Sequence, residues 1–551
     1  MCGIWAVFGS DENVSVQCNA VHRITHRGPD AFRIENINHL QNACLGFHRL
    51  AIVDDVRGMQ PMRLYTHPYI WLVYNGEIYN HKLLDKEFDL SLSTDVDGEP
   101  MIHLYHSHGA EFMAKHLDGV FAFCILDVVN RKVILGRDTY GVRPLFRFQT
   151  EQGFLAVCSE AKGLFGLSHS MSDDEVKMEP FPPGHVEIYD LDSQGRAFLK
   201  ERVCFNKPGQ FPMYKTLVSS YSADIKKNVA TLLEAAVDKR LMAERRIGCL
   251  LSGGLDSSLV AALLVKLAKK RGLGYPLQTF AIGMEGATDL VAARKVAKHL
   301  GTEHHEVLMT PEEGLEAIDD VIYHLETYDI TTIRASVGMY LLSKYIKQKT
   351  NTTVILSGEG SDELAQGYIY FHKAPSAEDA DKETHRLLND LYMYDVLRGD
   401  RTTSAWGLEI RVPFLDHQFT SYYLSLKPEL RQPIDGIEKH LLRSAFDEAE
   451  LLPNEILWRP KEAFSDGISS VKRSWFEMIQ DYCKEQINDS TLSEAASLYP
   501  HNPPKSKEAL YYRQVFEKHY PHKSHWIPYF WMPRWSTAED PSARTLKHYK
   551  Q

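Results

Sequence analysis

The sequence predicts two mixed α and β domains of different kinds, on three observations. A chain of 551 residues is too long for one hydrophobic core and suggests two large domains, or three. Up to about residue 190, short β-rich runs follow one another between turns. From about 225, strands alternate with helices, the order that builds a parallel sheet covered by helices. After about 385 the pattern is mostly helical.

Each element rests on its local pattern. Ile4 to Phe8, Cys44 to Val53, Trp71 to Tyr74, Phe121 to Leu126, Lys132 to Leu135, Leu155 to Cys158 and His185 to Tyr189 are short β-rich runs bounded by turn signals. Met101, Leu104 and Tyr105, after Asp97-Gly98-Glu99, are spaced as on one of few helices in this half. Residues 192–224, with Pro208, Gly209 and Pro212, have weak periodicity and read as a connection. Beyond them, Ile247 to Leu251 reads as a strand, Leu259 to Leu267 as a helix and Gln278 to Gly283 as a strand. Leu290, Ala293, Val296 and Leu300 share a helical face; Glu303 to Leu308 and Thr353 to Leu356 are further strands, with a helix over Val337 to Ile346 between them. Ser376 to Thr384 reads as a solvated loop or a helix start. The expected domains are 2–191 and 225–535, with a tail at 536–551.

Composition narrows the class of function. Hydrophobic residues make up 44% and charged residues 25%, and no apolar run approaches the roughly 18–20 residues that span a bilayer. No basic region followed by an apolar stretch opens the chain, so the cytosol is the default compartment. A net charge of -11 without a concentrated basic face disfavours nucleic acid and points to small-molecule ligands. Cysteines at 2, 18, 44, 124, 158, 204, 249 and 483 form no CxxC-type pair, against structural zinc and a disulfide framework; most besides Cys2 are expected to be reduced and buried. His103, His106 and His108 lack a second ligand set of matching spacing, which disfavours a metal there.

Two stretches carry chemistry. Cys2 follows Met1 directly. With Met1 removed, one residue presents a thiol and an α-amine of pKa about 7.7–8.0, a nucleophile with its own base. The alternative is a small apolar residue starting a strand. The second stretch, Ser252-Gly253-Gly254-Leu255-Asp256-Ser257-Ser258, lies between a strand and a helix. Its glycines permit a tight turn, its hydroxyls can donate, and the N–H groups at the helix start favour an anion, which makes it a pyrophosphate cradle. The lysine of a P-loop is absent, against simple γ-phosphoryl transfer. A serine-capped glycine turn would explain only part of the run.

The run SGGLDSS resembles the signature of ATP pyrophosphatases that cleave between the α- and β-phosphates, and Met1-Cys2-Gly3-Ile4 resembles the class II glutamine amidotransferases. Together they resemble the glutamine-hydrolysing asparagine synthetases. The likeness extends through Arg27-Gly28-Pro29-Asp30, Tyr74 to Asn80, Gly136-Arg137-Asp138, Ser357 to Glu363 and Arg411 to Asp416.

The resemblance implies an N-terminal-nucleophile αββα sandwich in the first domain, where Cys2 attacks the glutamine amide. Asn75 and the N–H of Gly76 would hold the oxyanion. Arg49 would pair with the glutamine α-carboxylate, Glu77 and Asp97 with its α-ammonium, and Leu50, Ala51, Ile52 and Val53 would complete the pocket. Arg49 as a surface ion pair and Asp97 as a turn residue are the structural alternatives.

For the second domain it implies an ATP-pyrophosphatase fold that adenylates aspartate, with Mg2+ accompanying ATP. Asp256 and Asp362 would bind the metal. Leu250, Ser252, Gly253, Gly254, Ser257, Ile282, Ser357 and Gly358 would meet the nucleotide, and Lys461 the phosphates. Glu359 would serve intermediate formation and ammonia attack. Asp395 and Arg398 would recognise aspartate, or form a helix-surface pair at i, i+3. Trp526, Tyr529, Phe530, Trp531 and Trp535 read as a packing anchor. An ammonia tunnel and a homodimer follow from the family as well. A relative adenylating another carboxylate would not need Cys2 and its pocket, and a silent scaffold of the same fold would need neither Cys2 nor the SGGLDSS loop.

Overall fold

The computed structural model describes residues 1–10, 14–37, 40, 42–167, 177–216, 218, 220–462, 464–469 and 473–542. They form two compact units, the first taking in Met1–Thr216 with Met242–Arg245 and Ser404–Leu408.

The strands of the first unit are β1 (Gly3–Phe8), β2 (Ala31–Asn36), β3 (Ala43–Arg49), β4 (Ile70–Ile78), β5 (Gly119–Asp127), β6 (Lys132–Arg137), β7 (Phe146–Gln149), β8 (Leu155–Cys158), β9 (Lys177–Pro180), β10 (His185–Leu191) and β11 (Ala197–Cys204). They make two antiparallel sheets, in the orders β2-β3-β1-β8-β7-β9 and β11-β10-β6-β5-β4. Because side chains alternate along a strand, Ile4, Ala6 and Phe8 of β1 and Leu45 and Phe47 of β3 meet Trp71 and Val73 of β4 in one buried layer between the sheets. Helix α1 (Val14–His22) lies on the outer face of the first sheet, where Val21 and Trp5 both come against Gly46. Helices α2 (His81–Phe88), α3 (Glu99–His108) and α4 (Ala110–His116) cover the second, burying Leu84, Met101, Leu104 and Met113 against Leu72, Phe123 and Ile134. The result is the αββα sandwich.

Part of the expected connection is strand. β11 pairs with β10 at a sheet edge, and most of its residues are exposed. Lys200, Glu201 and Arg202 leave no apolar alternation to read, a composition that also protects an edge from pairing with another chain. The histidines of α3 and its end pack on rings: His103 and His106 against His67, and His108 against Phe112.

The second unit is built on a parallel sheet of β12 (Arg246–Leu250), β13 (Gln278–Gly283), β14 (Glu303–Leu308), β15 (Thr352–Leu356) and β16 (Glu409–Arg411), ordered β14-β13-β12-β15-β16. Helices α5 (Ile225–Lys239), α6 (Leu255–Arg271), α7 (Thr288–Leu300) and α8 (Ile330–Lys349) lie before and between these strands. The order reverses direction at β12, so the loops leaving β12 and β15 diverge and open a crevice at the strands' carboxyl ends, where open α/β sheets bind ligands. Ser376 caps α9 (Ala377–Asp390), its hydroxyl accepting from the Asp379 N–H at 3.0 Å, so the polar stretch is a helix start. Trp531, with Tyr529 and Trp535 beside it, packs against Tyr370, Phe371 and Tyr394; this is an anchor for the C-terminal segment. Among the described residues no helix is long and apolar enough to cross a membrane.

Candidate active sites

The first site lies at one end of the layer between the two sheets. The alternation that turns Ile4, Ala6 and Phe8 inward also turns Cys2 inward, and Cys2 is half-buried against that core. Arg49 follows Leu45 and Phe47 on β3, and Asn75 and Glu77 follow Trp71 and Val73 on β4, so parity brings them to the same layer. Gly3 stands opposite His48, which sets Cys2 level with Arg49. The Cys2 Sγ accepts from the Leu50 N–H at 3.4 Å.

Asn75 is fully buried, and neither its Nδ2 nor its Oδ1 has a protein partner. An orphaned buried amide costs about 1–3 kcal/mol, which a ligand can offset. Next to it, Gly76 has a φ of 147°, and a Cβ there would stand 2.0 Å from the Val120 carbonyl oxygen; only glycine fits. Arg49 donates to the Asp55 and Asp54 carbonyls at 2.7 and 2.6 Å, which fixes the guanidinium within the fold. Asp97 is no open turn residue: its carboxylate accepts from the Tyr74 hydroxyl at 2.7 Å and the Ile78 N–H at 2.6 Å.

The second site is a cavity at the carboxyl ends of β12, β13 and β15. Leu250, Ser252, Gly254, Asp256 and Ser257 line it from the first turn and its approach, Ile282 from β13, and Ser357, Gly358, Glu359 and Asp362 from the loop after β15. Gly253 does not line it. Its φ is 75°, and a Cβ would lie 2.4 Å from the Ala293 nitrogen, so Gly253 lets the turn approach α7. α6 begins at Leu255 directly after the turn, so its first N–H groups and the positive end of its dipole face the cavity.

The charged side chains are paired. Lys439 Nζ stands between Asp256 Oδ2 at 2.6 Å and Asp362 Oδ1 at 2.5 Å, and Lys461 Nζ reaches Asp362 Oδ2 at 2.5 Å. Burial would raise the Asp362 carboxyl, but the two ammonium groups hold it well below the usual carboxylate range. Arg398 donates to Glu359 and, at 3.2 Å, to Asp395. Asp395 and Arg398 are therefore a pair inside the cavity and no helix-surface ornament. Burial pushes the Glu359 carboxyl up to about 7 despite Arg398.

Comparison with known proteins covers both units. The family model described as asparagine synthase matches residues 228–382 and 372–546, and that described as glutamine amidotransferase domain matches residues 1–181. The glutamine-hydrolysing asparagine synthetases of Gallus gallus and Homo sapiens are 62% and 60% identical to the chain, each alignment covering 100% of it and 99% of the relative. The chain belongs to the asparagine synthetase family.

Some residues that build the sites in this asparagine synthetase family member escape a reading of sequence. Lys439 has no motif of its own; it is a buried lysine with a φ of 56°, and only the fold brings it to Asp256 and Asp362. Arg245 lies far from the glutamine pocket in sequence, yet its guanidinium donates to Ala51 O at 2.9 Å and to Asp30 Oδ2 at 2.8 Å. Asp30 in turn accepts from the Ala51 N–H at 2.9 Å, so the Arg27-Gly28-Pro29-Asp30 motif physically holds the 50–53 segment. Tyr74 was visible as a strand residue and as the start of the Tyr74 to Asn80 stretch, but not as the residue whose hydroxyl orients Asp97.

Proposed function

We propose that this chain makes L-asparagine from L-aspartate and ATP with nitrogen from L-glutamine, leaving glutamate, AMP and pyrophosphate. The observation that carries the proposal is the unpartnered, buried amide of Asn75 in the same inter-sheet layer as the Cys2 thiol, in a chain whose other unit has a cavity lined by Ser252, Asp256, Lys439 and Lys461 at a sheet switch point.

On removal of Met1, the α-amine of Cys2 takes the thiol proton and the thiolate attacks the glutamine side-chain carbonyl. Asn75 Nδ2 and the Gly76 N–H receive the oxyanion, a contribution of about 3–4 kcal/mol per donor. The Cys2 α-ammonium returns the proton to the amide nitrogen, so collapse expels ammonia and leaves a thioester, which water hydrolyses to glutamate. Arg49, Glu77 and Asp97 hold the two charged groups of the amino acid, with Leu50 to Val53 beside them.

In the second unit the aspartate β-carboxylate attacks the α-phosphorus, and pyrophosphate leaves toward Lys461, Lys439 and the first turn of α6. Ammonia then attacks the β-carbonyl carbon and AMP leaves. Glu359 accepts the ammonia proton in this reading, and a carboxyl that burial raises to about 7 suits a group that must hold and release it. Asp395 and Arg398 bind aspartate. The two carboxylates that converge on Lys439 make, with phosphate oxygens, the hard oxygen donor set that Mg2+ takes. Bound there with ATP, Mg2+ would neutralise charge on the leaving pyrophosphate. A homodimer in the cytosol, passing ammonia internally and with neither nucleic acid nor membrane as partner, completes the reading.

The test is product stoichiometry in purified protein given glutamine, aspartate and ATP. Equal amounts of asparagine, glutamate and AMP are expected. ADP in place of AMP overturns cleavage at the α-phosphorus, and AMP formed with another carboxylic acid but not with aspartate overturns the substrate.

A further inference from the structure

Lys461 can serve the phosphates only if its backbone is held, because its own stem has four rotatable bonds. Its side chain ends on Asp362, which the substrate complex must share, so the fixed point has to lie elsewhere. Three contacts tie the segment around Lys461 to the turn after β13 and the first turn of α7. The Arg459 guanidinium donates to Asp289 Oδ1 at 3.2 Å. Glu462 accepts from the same guanidinium at 3.0 Å and from the Thr288 hydroxyl at 2.7 Å. Farther along, the Met284 N–H donates to the Ile468 carbonyl at 2.8 Å.

Asp289 is the centre of this attachment. It is buried in the first turn of α7, lines the cavity wall, and stands so close to Gly467 that a Cβ there would lie 2.3 Å from its Oδ2. Burial pushes its carboxyl up to about 7, against the pull of Arg459. Between Arg459 and Lys461 stands Pro460, whose ring locks φ, so one backbone torsion fewer can absorb a displacement of Arg459 before it reaches Lys461. The same turn follows β13, which carries Ile282 on the cavity wall. The wall proposed to meet the nucleotide and the segment proposed to meet its phosphates therefore share one anchor.

We infer that Asp289 is a positioning residue for adenylation, acting through Arg459 and Pro460 to set Lys461 against the phosphates of ATP. It touches no reacting atom. The inference rests on the proposed function of this cavity and adds a residue to it.

A double-mutant cycle separates acting through Lys461 from merely supporting the fold. AMP formation from aspartate and ATP is measured with ammonium as nitrogen source for wild type, Asp289→Asn, Lys461→Met and the double variant. Asp289→Asn is expected to lower kcat/KM for ATP about tenfold, in line with 1.4 kcal/mol of lost positioning, with KM for aspartate unchanged. In the Lys461→Met background the same substitution should change the rate less than twofold. A full tenfold loss in that background, or a rise in KM for aspartate equal to that for ATP, overturns the inference. If Asp289→Asn does not fold, Arg459→Lys and Arg459→Met replace it in the cycle. Lysine should then recover part of the ATP kcat/KM that methionine loses, and equal activity of the two overturns the inference. Failure of the wild type to make AMP from aspartate would instead strike the proposed function itself.

Discussion

The two sites reach readiness by opposite routes. At the glutaminase site the geometry comes from strand parity, and the proposed oxyanion donor, Asn75, is left without a partner. At the adenylation site the geometry comes from loops at strand ends, and the charged groups neutralise one another: Lys439 and Lys461 on Asp256 and Asp362, Arg398 on Glu359 and Asp395. The difference follows from what each must bind. A neutral amide that becomes an oxyanion is met by a waiting dipole, whereas a multiply charged nucleotide is met by groups that could not stay buried and charged without partners meanwhile.

Substitutions can break this contrast at either end. Cys2→Ala should produce the largest effect, removing glutamine-dependent asparagine formation while ammonium-dependent formation stays within about twofold, because the nucleophile acts in one unit only. Loss of both in a folded variant would refute the separation. Asp256→Asn should lower AMP formation with either nitrogen source by about 10²–10³, since it leaves Lys439 half paired and removes a proposed metal ligand; normal AMP release sinks that role. Asn75→Ala should lower glutaminase kcat by about 10²–10³ with stability unchanged or improved, as the orphaned amide disappears. A large fall in melting temperature would mean that the amide is structural.

The pH response sharpens the contrast further. With its pKa raised to about 7, Glu359 is mostly protonated at pH 6 and ionised at pH 8. Asparagine formation, expressed per free ammonia, should therefore rise across that interval, and Glu359→Gln should be slow and flat there. In folding the sign is the reverse. The native state keeps a proton that the unfolded chain releases above its ordinary carboxyl pKa, so this group lowers stability as pH rises toward 7, and the glutamine variant lacks that slope. The smallest expected effect belongs to Tyr74→Phe. Loss of one hydrogen bond to Asp97, about 0.5–1.5 kcal/mol, should raise KM for glutamine two- to tenfold with kcat nearly unchanged.

The same contrast decides what could be read from the sequence. The strands of the first unit were legible in apolar runs such as Ile4 to Phe8, buried on both faces, whereas their αββα stacking came only with the family resemblance; the parallel sheet was legible in the alternation of helices with buried strands such as Gln278 to Gly283. The strands over Ala31–Asn36, Phe146–Gln149 and Lys177–Pro180 escaped because they are short or carry charge. Cys2 and the SGGLDSS loop stood out because their chemistry is written in adjacent residues, and Asn75 entered through the family resemblance. Lys439, Asp289 and Arg245 did not, since each acts on a partner distant in the chain, and isolated charged residues look like solvated surface until the fold buries them.

Lys439 has one more consequence. Its ammonium is tethered to the chain, so it occupies the space between Asp256 and Asp362 at a local concentration that no free ion matches by dilution. A divalent ion arriving alone must evict it without offering it a new anion. An ion arriving with a polyphosphate brings that anion along. In the proposed complex metal and nucleotide would therefore be thermodynamically synergistic, each tightening the other by the same factor, and titration of the ion in the absence of ATP should report only a fraction of the affinity seen in its presence.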